Sequence, residues 1–364
     1  MEVLNQTGFP HQMGSGMDVA GRVFMTLTVK ASFSFPERET DPPRPLAEQR
    51  PLVMADEYTG APGFSAPLWE SDFAFRKPFC DVVLNGAAHA PGARPVERLR
   101  VGLALGRWSK QFDVVGQREW RTLGPRVTAT RPYPFTRMPF SYDTAFGGPD
   151  RSRPPGPEVP VYAENPVGLG FATATGGTPA GLALPNTEAV GEEVTSPYGH
   201  YRPMALGPYG RGWPQRLPNG GTYDQHWLDN VAPFLPADFD ERYFQMAPPD
   251  QQIASLPPFS PLVLVNLTPR GREAFRLPDT RLPIRIWRGA EPCVEGQPTP
   301  DTLLIDAEAR VLMLVWRVSV PVRRTLAEFS RAWVGPPTAA MLRAEAEGRG
   351  YLRLPAVVDE GEGP

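Results

Sequence analysis

The sequence predicts a mainly β protein, built of antiparallel β-sandwich or barrel-like modules with a long ordered irregular insertion and short C-terminal helices. Stretches in which apolar and polar residues alternate occur towards both ends of the chain, and this period of two is typical of β-strands. The chain of 364 residues also contains 46 prolines and 35 glycines. Proline inside a helix removes a hydrogen-bond donor and clashes with the preceding turn, so this composition favours short strands joined by turns.

The N-terminal part of the chain contains two strand patterns. In residues 23–35 apolar residues alternate with threonine, serine and lysine, which predicts one long strand with a buried face and a solvent-exposed face. A second alternation occupies residues 99–105 and resumes at Trp108. Gly106 between them suits the positive φ of a tight turn, so we predict a β-hairpin. Together these patterns define a predicted N-terminal β module at residues 1–123.

The middle of the chain, residues 124–261, has a different character. Periodicity fades, prolines and glycines are frequent, and eight of the ten tyrosines lie between Tyr133 and Tyr243. Because large aromatic rings bury much apolar area, we predict an ordered irregular segment packed on the sheets. Two interpretations of the rings stay open at this point: they pack the segment down, or several form an exposed recognition surface.

Strand patterns return in the last third of the chain. Residues 262–267 and 282–286 each predict a strand, and residues 302–305 with 310–322 predict a further hairpin. Within the second arm of that hairpin, the run 311–316 is apolar on both faces. This pattern predicts a central strand that is covered on both sides.

Two segments near the C-terminus are predicted helices, residues 326–334 and residues 338–348. They complete a predicted C-terminal β module at residues 262–357. The last residues, 358–364, are acidic and predict a flexible tail.

Charge and hydropathy exclude several classes of partner. The formal net charge is −3, so nothing indicates the cationic excess that nucleic-acid binding requires. No run of eighteen apolar residues is present, and no basic segment followed by an apolar run opens the chain. The sequence therefore predicts a cytoplasmic protein that binds neither nucleic acid nor membrane.

Residues with catalytic or metal-binding chemistry form no recognisable motif. The two cysteines, Cys80 and Cys293, are far apart and predict free, reduced, partly buried thiols rather than a zinc site. None of the four histidines lies near a nucleophile motif, and no phosphate-binding glycine loop occurs. We therefore predict no catalytic residue, metal or cofactor, and no enzymatic activity.

One cluster of carboxylates leaves an alternative open. Asp238, Asp240 and Glu241 are close in sequence, and Asp250 follows nearby. Carboxylates of this kind are typical of turns and caps. The alternative is a carbohydrate-binding or glycoside-acting β-sandwich in which Asp238 and Asp240 are the acid and the base.

Several ordered sequence blocks in the irregular segment resemble a bacterial family of proteins of unknown function that are encoded beside type VI secretion genes. The resemblance covers residues 1–335. The blocks are PFTRMPF (134–140), YDTAFGG (142–148), NPVGLG (165–170), LPNTE (184–188), GTYDQHW (221–227), LPADFD (235–240) and APPDQQ (247–252), with DTL (301–303) and WR (316–317).

The resemblance implies a cytosolic chaperone or adaptor in its stand-alone form, without pentapeptide repeats. Such a protein binds a toxic type VI secretion effector and assists its loading onto the VgrG/PAAR spike. The residues that we expect to contact the partner are aromatic and arginine side chains in or beside the blocks. They are Arg137, Tyr142, Phe146, Arg211, Trp213, Tyr223, Trp227 and Tyr243.

Overall fold

The computed structural model describes residues 1–124, 126–349 and 351, and it confirms the predicted mainly β class. The strands of the first half are β1 (Glu2–Asn5), β2 (His11–Met17), β3 (Val23–Ser34), β4 (Arg44–Pro45), β5 (Glu57–Tyr58), β6 (Pro67–Trp69), β7 (Cys80–His89), β8 (Arg98–Leu105), β9 (Trp108–Val115), β10 (Trp120–Leu123), β11 (Arg126–Ala129) and β12 (Arg137–Phe140). Those of the second half are β13 (Phe146–Gly147), β14 (Leu169–Gly170), β15 (Thr187–Glu188), β16 (Gln252–Ile253), β17 (Pro261–Val265), β18 (Arg272–Arg276), β19 (Ile284–Arg288), β20 (Glu291–Gly296), β21 (Thr302–Asp306), β22 (Val311–Pro321) and β23 (Phe329–Val334).

Helical structure is short throughout the described chain. The α-helices are α1 (Gln225–Asn230) and α2 (Ala339–Ala346). Single 3-10 turns occupy Pro91–Ala93, Tyr142–Thr144, Leu217–Gly220, Glu241–Phe244, Pro249–Gln251 and Leu326–Glu328. Among the described residues, no helix is long and apolar enough to cross a membrane.

The chain divides into two compact units. The smaller unit combines Met1–Phe9 and Arg281–Pro298 with the described residues from Val322 onward. The larger unit contains Pro10–Thr280 and Thr299–Pro321. The irregular segment, residues 124–261, lies entirely within the larger unit.

An eight-stranded sheet forms the centre of the larger unit, in the order β12-β7-β21-β22-β3-β2, with β16 and β4 at its sides. The predicted hairpin of β21 and β22 is confirmed, and β22 lies between β21 and β3. Residues 311–316 are all buried, as expected for a central strand. None of the sheets in the described chain closes on itself, so the barrel-like alternative is not the observed form.

Strand β3 differs from its prediction in one respect, because its polar face is buried and not solvent-exposed. Lys30 on this face forms an ion pair with Asp72 at 2.9 Å. The backbone N–H of Ser32 donates to Gln49 Oε1 at 2.7 Å. The segment that follows β4 thus covers the polar face and satisfies its hydrogen bonds, which alternation alone cannot indicate.

A five-stranded sheet, in the order β15-β9-β8-β17-β18, belongs to the same unit. The predicted hairpin of β8 and β9 is confirmed, with Gly106 in the turn at φ 59°. The two large sheets contact each other through aromatic pairs. Phe112 of β9 and Phe140 of β12 have ring centroids 5.2 Å apart. Phe275 of β18 and Phe35 are also 5.2 Å apart.

The smaller unit contains a four-stranded sheet in the order β1-β23-β19-β20. The prediction of a helix at residues 326–334 is wrong: after one 3-10 turn this segment is strand β23. It pairs with β19 and, in parallel, with β1 from the opposite end of the chain. The second predicted helix is confirmed as α2. The acidic tail, residues 358–364, lies outside the described residues.

Candidate functional site

The YDTAFGG and NPVGLG blocks interlock in the structure. Asn165 is fully buried, and its side-chain amide donates to the backbone oxygens of Tyr142 and Phe146 at 2.8 and 3.0 Å. Gly148 lies at φ 83°, and a Cβ there would lie 2.0 Å from the oxygen of Gly168. Only glycine permits this approach. These blocks therefore fold the irregular segment onto itself.

The APPDQQ block joins the irregular segment to the central sheet. Asp81 on β7 is fully buried and accepts hydrogen bonds from the backbone of Met246 and Ala247 at 3.0 and 3.2 Å. Gln251 is also fully buried and donates to the oxygens of Val82 and Leu206, both at 2.9 Å. Each buried polar group thus has partners, and the block has a structural role.

Three of the eight predicted contact residues belong to the core, which corrects the prediction. Tyr142 and Trp213 are buried in one apolar cluster, with ring centroids 5.4 Å apart. Phe146 is fully buried in another cluster and packs against Tyr162. Burial raises the pKa of the Tyr142 hydroxyl well above its usual value. These rings pack the irregular segment, which is the first of the two interpretations of its aromatic content.

The two predicted arginines bind carboxylates within the chain itself. Arg137 contacts Glu308 at 2.9 Å. Arg211 contacts Asp56 at 3.0 Å and Glu70 at 2.5 Å. These carboxylates belong to the chain itself, so the ion pairs link segments of the fold, and the predicted contact of the two arginines with a partner stays a prediction.

Residues 221–240 are a part of the irregular segment in which aromatic rings are exposed to solvent. We call these residues the exposed loop. Its two ends are joined at the base. Asp238 accepts hydrogen bonds from the backbone N–H and the hydroxyl of Thr222 at 3.0 and 2.7 Å. The N–H of Asp240 donates to the oxygen of Asn219 at 2.9 Å. The loop is therefore held in one conformation at its ends.

Helix α1 orders the interior of the exposed loop. Asp224 is its N-cap and accepts a hydrogen bond from the backbone N–H of Trp227 at 2.8 Å. The indole N–H of Trp227 donates to the oxygen of Phe234 at 2.9 Å, and the ring packs against Tyr223 at a centroid distance of 4.7 Å. Trp227 is half-buried and supports the more exposed rings around it.

The exposed loop presents apolar side chains to solvent. Tyr223 is 55% exposed, Leu228 is 58% exposed and Phe234 is 47% exposed. The ring of Phe234 also packs on Gly21, where a Cβ would lie 3.1 Å from it. Of these three, the sequence indicated only Tyr223. Asp224, three residues before Trp227, is an N-cap signal for the short helix that contains Leu228.

Tyr243 follows the exposed loop, and it is half-buried. Its ring lies under the Arg216 guanidinium at 5.6 Å, and its backbone oxygen accepts from Arg216 Nε at 2.7 Å. Arg216 is itself buried and contacts Glu70 at 2.7 Å. Tyr243 thus connects the loop to a buried ion pair, and part of its ring remains accessible.

The acidic cluster has structural roles that account for its residues. Hydrogen bonds from Thr222 lower the pKa of Asp238. Asp240 caps the 3-10 turn at Glu241–Phe244, and its hydrogen bond with Arg242 lowers its pKa. A general acid in glycoside hydrolysis needs a raised pKa, which is the opposite of the direction of both shifts.

Neither the two thiols nor a cluster of metal-ligating side chains forms another candidate site in the described chain. Cys80 and Cys293 are free, as predicted, and burial raises the pKa of the Cys80 thiol well above its usual value. No group of three or more His, Cys, Asp or Glu side chains among the described residues is arranged to hold a metal ion. The exposed loop is therefore the candidate functional site.

Comparison with known proteins matches the chain to a family model. Residues 20–317 match the model of the bacterial family DUF2169, which is described as an uncharacterized protein conserved in bacteria. No curated protein and no protein of solved structure matches the chain. Since the matched region covers most of the sequence, the chain belongs to the DUF2169 family.

Proposed function

We propose that this protein is a cytosolic adaptor or chaperone that binds a type VI secretion effector and assists its loading onto the VgrG/PAAR spike. Recognition is non-covalent and protein to protein. The observation that supports the proposal is the exposed loop, in which Tyr223, Leu228 and Phe234 are about half exposed on an ordered backbone. The association with type VI secretion comes from the resemblance of the sequence blocks.

The construction of the exposed loop suits a binding surface. Aromatic side chains carry much of the binding energy at protein interfaces, and they have few rotatable bonds to immobilise. The Asp238–Thr222 hydrogen bonds and the Asp224 cap order the backbone in advance. A preordered surface loses less conformational entropy on binding than a flexible one does.

A triple substitution in the exposed loop tests this function. The variant carries Tyr223→Ala, Leu228→Ala and Phe234→Ala. A matched control carries Tyr133→Ala, Leu123→Ala and Phe64→Ala, three residues of the same types that are also exposed. Each tagged protein is expressed in its native bacterium and isolated from the cytosol, and mass spectrometry quantifies the proteins that copurify.

We expect the unmodified protein and the control to retain a secreted toxin and a spike protein. The loop variant should retain about tenfold less of both proteins, or even less than that. Truncating several central interface residues removes much of the binding energy. Circular dichroism establishes that the variant is folded. If neither an effector nor a spike protein copurifies with the unmodified protein, the proposed function is wrong. If both copurify equally with the folded loop variant, the exposed loop is not the contact surface.

A further inference from the structure

The exposed loop carries fixed charge of one sign only. Residues 221–240 contain four aspartates and neither lysine nor arginine, and their one histidine counts as neutral at pH 7. The formal net charge of the chain is −3, so the loop carries −4 and the remaining residues together carry +1. The aspartates are Asp224, Asp229, Asp238 and Asp240. The loop thus combines negative charge with exposed apolar side chains.

The arginines that lie beside the loop already have carboxylate partners. One of them follows Gly21, on which the ring of Phe234 packs, and the others belong to or contact residues 241–243. The pairs are Arg22–Asp18 at 2.6 Å, Arg76–Glu241 at 2.8 Å, Arg216–Glu70 at 2.7 Å and Arg242–Asp240 at 2.6 Å. These arginines therefore match Asp240 alone among the aspartates of the loop, and the other three aspartates keep their charge.

The three unmatched aspartates flank the exposed apolar side chains. Asp224 follows Tyr223 in the chain, Asp229 follows Leu228, and Asp238 lies at the base of the loop. All three aspartates are exposed. Each accepts hydrogen bonds from neutral groups, which leave its negative charge in place. The donors are the N–H of Trp227, the side-chain amide of Gln225, and the N–H and hydroxyl of Thr222.

This arrangement selects a class of partner by charge. An apolar centre with a polar rim is the usual anatomy of a protein interface. Rim charges favour partners of opposite sign and disfavour partners of the same sign. Arginine suits such a rim best, because its guanidinium binds a carboxylate through two parallel hydrogen bonds. A second copy of the chain that docked loop to loop would bring two acidic rims together, so the charges oppose this symmetric contact.

We propose that the exposed loop binds a cationic segment of its partner, in which apolar residues are flanked by arginine or lysine. The apolar residues cover the exposed side chains of the loop, and the cations pair with Asp224, Asp229 and Asp238. The inference rests on the proposed function, because it takes the exposed loop as the contact surface. It adds the chemistry that the partner presents there.

Random peptides test the charge of the preferred partner without knowledge of its identity. Linear peptides displayed on phage are selected on the immobilised full chain. The same library is selected on the folded variant with Tyr223→Ala, Leu228→Ala and Phe234→Ala, so that peptides which bind elsewhere are identified. The strongest loop-dependent peptide is synthesised, together with a version in which glutamine replaces every arginine and lysine. Fluorescence anisotropy measures both affinities.

A double variant removes charge from the loop and retains its structure. Asp224→Asn keeps the helix cap, since asparagine caps a helix as well as aspartate does, and Asp229→Asn changes an exposed helix position. The matched control carries Glu119→Gln and Glu158→Gln, which remove two exposed carboxylates outside the loop. Circular dichroism and the melting temperature establish that both proteins are folded.

We expect the loop-dependent peptides to have a net positive charge and to contain apolar residues. The double variant should weaken binding by about three- to tenfold, since exposed ion pairs contribute modestly, and the control should leave binding unchanged. Raising the salt concentration from about 0.1 M to about 1 M should also weaken binding, because it shortens the screening length from about 10 Å to about 3 Å. The glutamine version of the peptide should lose both effects.

Three results would overturn the inference. They are the enrichment of no loop-dependent peptide, loop-dependent peptides without positive charge, and equal binding by the double variant and the unmodified chain. A concentration-dependent dimer that the triple variant abolishes would assign the loop to a second copy instead.

Copurification from the native cytosol separates this inference from the proposed function. If the triple variant loses the effector and the double variant retains it fully, the proposed function stands and the inference is wrong. If cationic peptides bind the loop but neither an effector nor a spike protein copurifies with the unmodified chain, the inference stands for a different partner. The proposed function alone is then wrong.

Discussion

At the scale of single residues, a carboxylate that the sequence did not single out organises part of the irregular segment. Asp150 is fully buried. It accepts hydrogen bonds from the backbone N–H and the hydroxyl of Ser152, at 3.0 and 2.5 Å, and from the same groups of Thr173, at 3.0 and 2.6 Å. Arg153 adds a contact at 3.3 Å. One side chain thus joins two turns that are distant in sequence.

The titration of Asp150 has a predictable effect on stability. Burial acts to raise its pKa, but the hydrogen bonds from Ser152 and Thr173 outweigh this and lower the pKa to about 2. A group whose pKa is lower in the folded state stabilises the fold above its unfolded pKa. That contribution is lost as the pH falls from the ordinary aspartate pKa of 3.8 towards the folded-state pKa of about 2.

We therefore expect Asp150→Asn to reduce the free energy of unfolding by about 1–3 kcal/mol at neutral pH, since it weakens hydrogen bonds to a charged group. The difference from the unmodified protein should shrink as the pH approaches about 2, where the carboxyl becomes protonated. Urea unfolding at a series of pH values measures this difference. Asp229→Asn, at an exposed helix position, is the control. A difference that stays constant with pH would contradict this account.

At the scale of elements, the exposed loop should behave as a local unit. Asp238 joins its ends through two hydrogen bonds from Thr222. We expect Asp238→Ala to accelerate hydrogen exchange of residues 221–240 by about five- to tenfold, in line with the loss of a hydrogen bond to a charged group. Exchange in β7 and β22 should not change. Asp229→Ala, within the same loop, is the control, because Asp229 is exposed and accepts a hydrogen bond from Gln225 within helix α1.

Hydrogen exchange is followed by mass spectrometry, and two results would contradict this expectation. Faster exchange throughout the central sheet would mean that Asp238 contributes to global stability. Unchanged exchange in the loop would mean that packing of Trp227 and Phe234, rather than the base, fixes its conformation. Either result would contradict the view of the loop as a unit ordered through its ends.

Local sequence patterns predicted elements well where the partners of a strand are close in the chain. The hairpins of β8 with β9 and of β21 with β22 follow from alternation and a turn. Strand β23 was predicted as a helix because its partner β1 comes from the other end of the chain. The buried polar face of β3 was missed for a related reason, since Asp72, the partner of Lys30, lies in a distant segment.

The candidate site was predicted in part. The sequence blocks located the irregular segment, but a block composed of aromatic residues and glycine does not reveal which rings face solvent. Phe146 and Trp213 are buried, whereas Tyr223 is exposed. The difference depends on tertiary packing. Contacts of Asn165 and Gly148 hold the YDTAFGG and NPVGLG blocks together, whereas the hydrogen bonds between Asp238 and Thr222 close the base of the exposed loop.

At the scale of the whole molecule, the distribution of positive charge is unusual. The chain has only three lysines, Lys30, Lys77 and Lys110, and their side chains are 2%, 1% and 7% exposed. Each forms an ion pair, with Asp72 at 2.9 Å, Asp81 at 2.6 Å and Asp250 at 2.8 Å respectively. Buried charges require such partners, because an unpaired charge in the interior is strongly destabilising. Arginine therefore supplies the side-chain positive charge of the surface.

This distribution predicts how the folded protein reacts with amine-directed reagents. An N-hydroxysuccinimide ester should modify the α-amino group of the folded chain and leave Lys30 and Lys77 unmodified, whereas all three lysines should react in urea. Lys110 should be the first lysine to react as denaturant is added, because its partner Asp250 is exposed and burial lowers its pKa. Peptide mapping by mass spectrometry measures the order. Rapid modification of Lys30 in the absence of denaturant would mean that the segment covering β3 opens readily, and that the Lys30–Asp72 pair does not hold it closed.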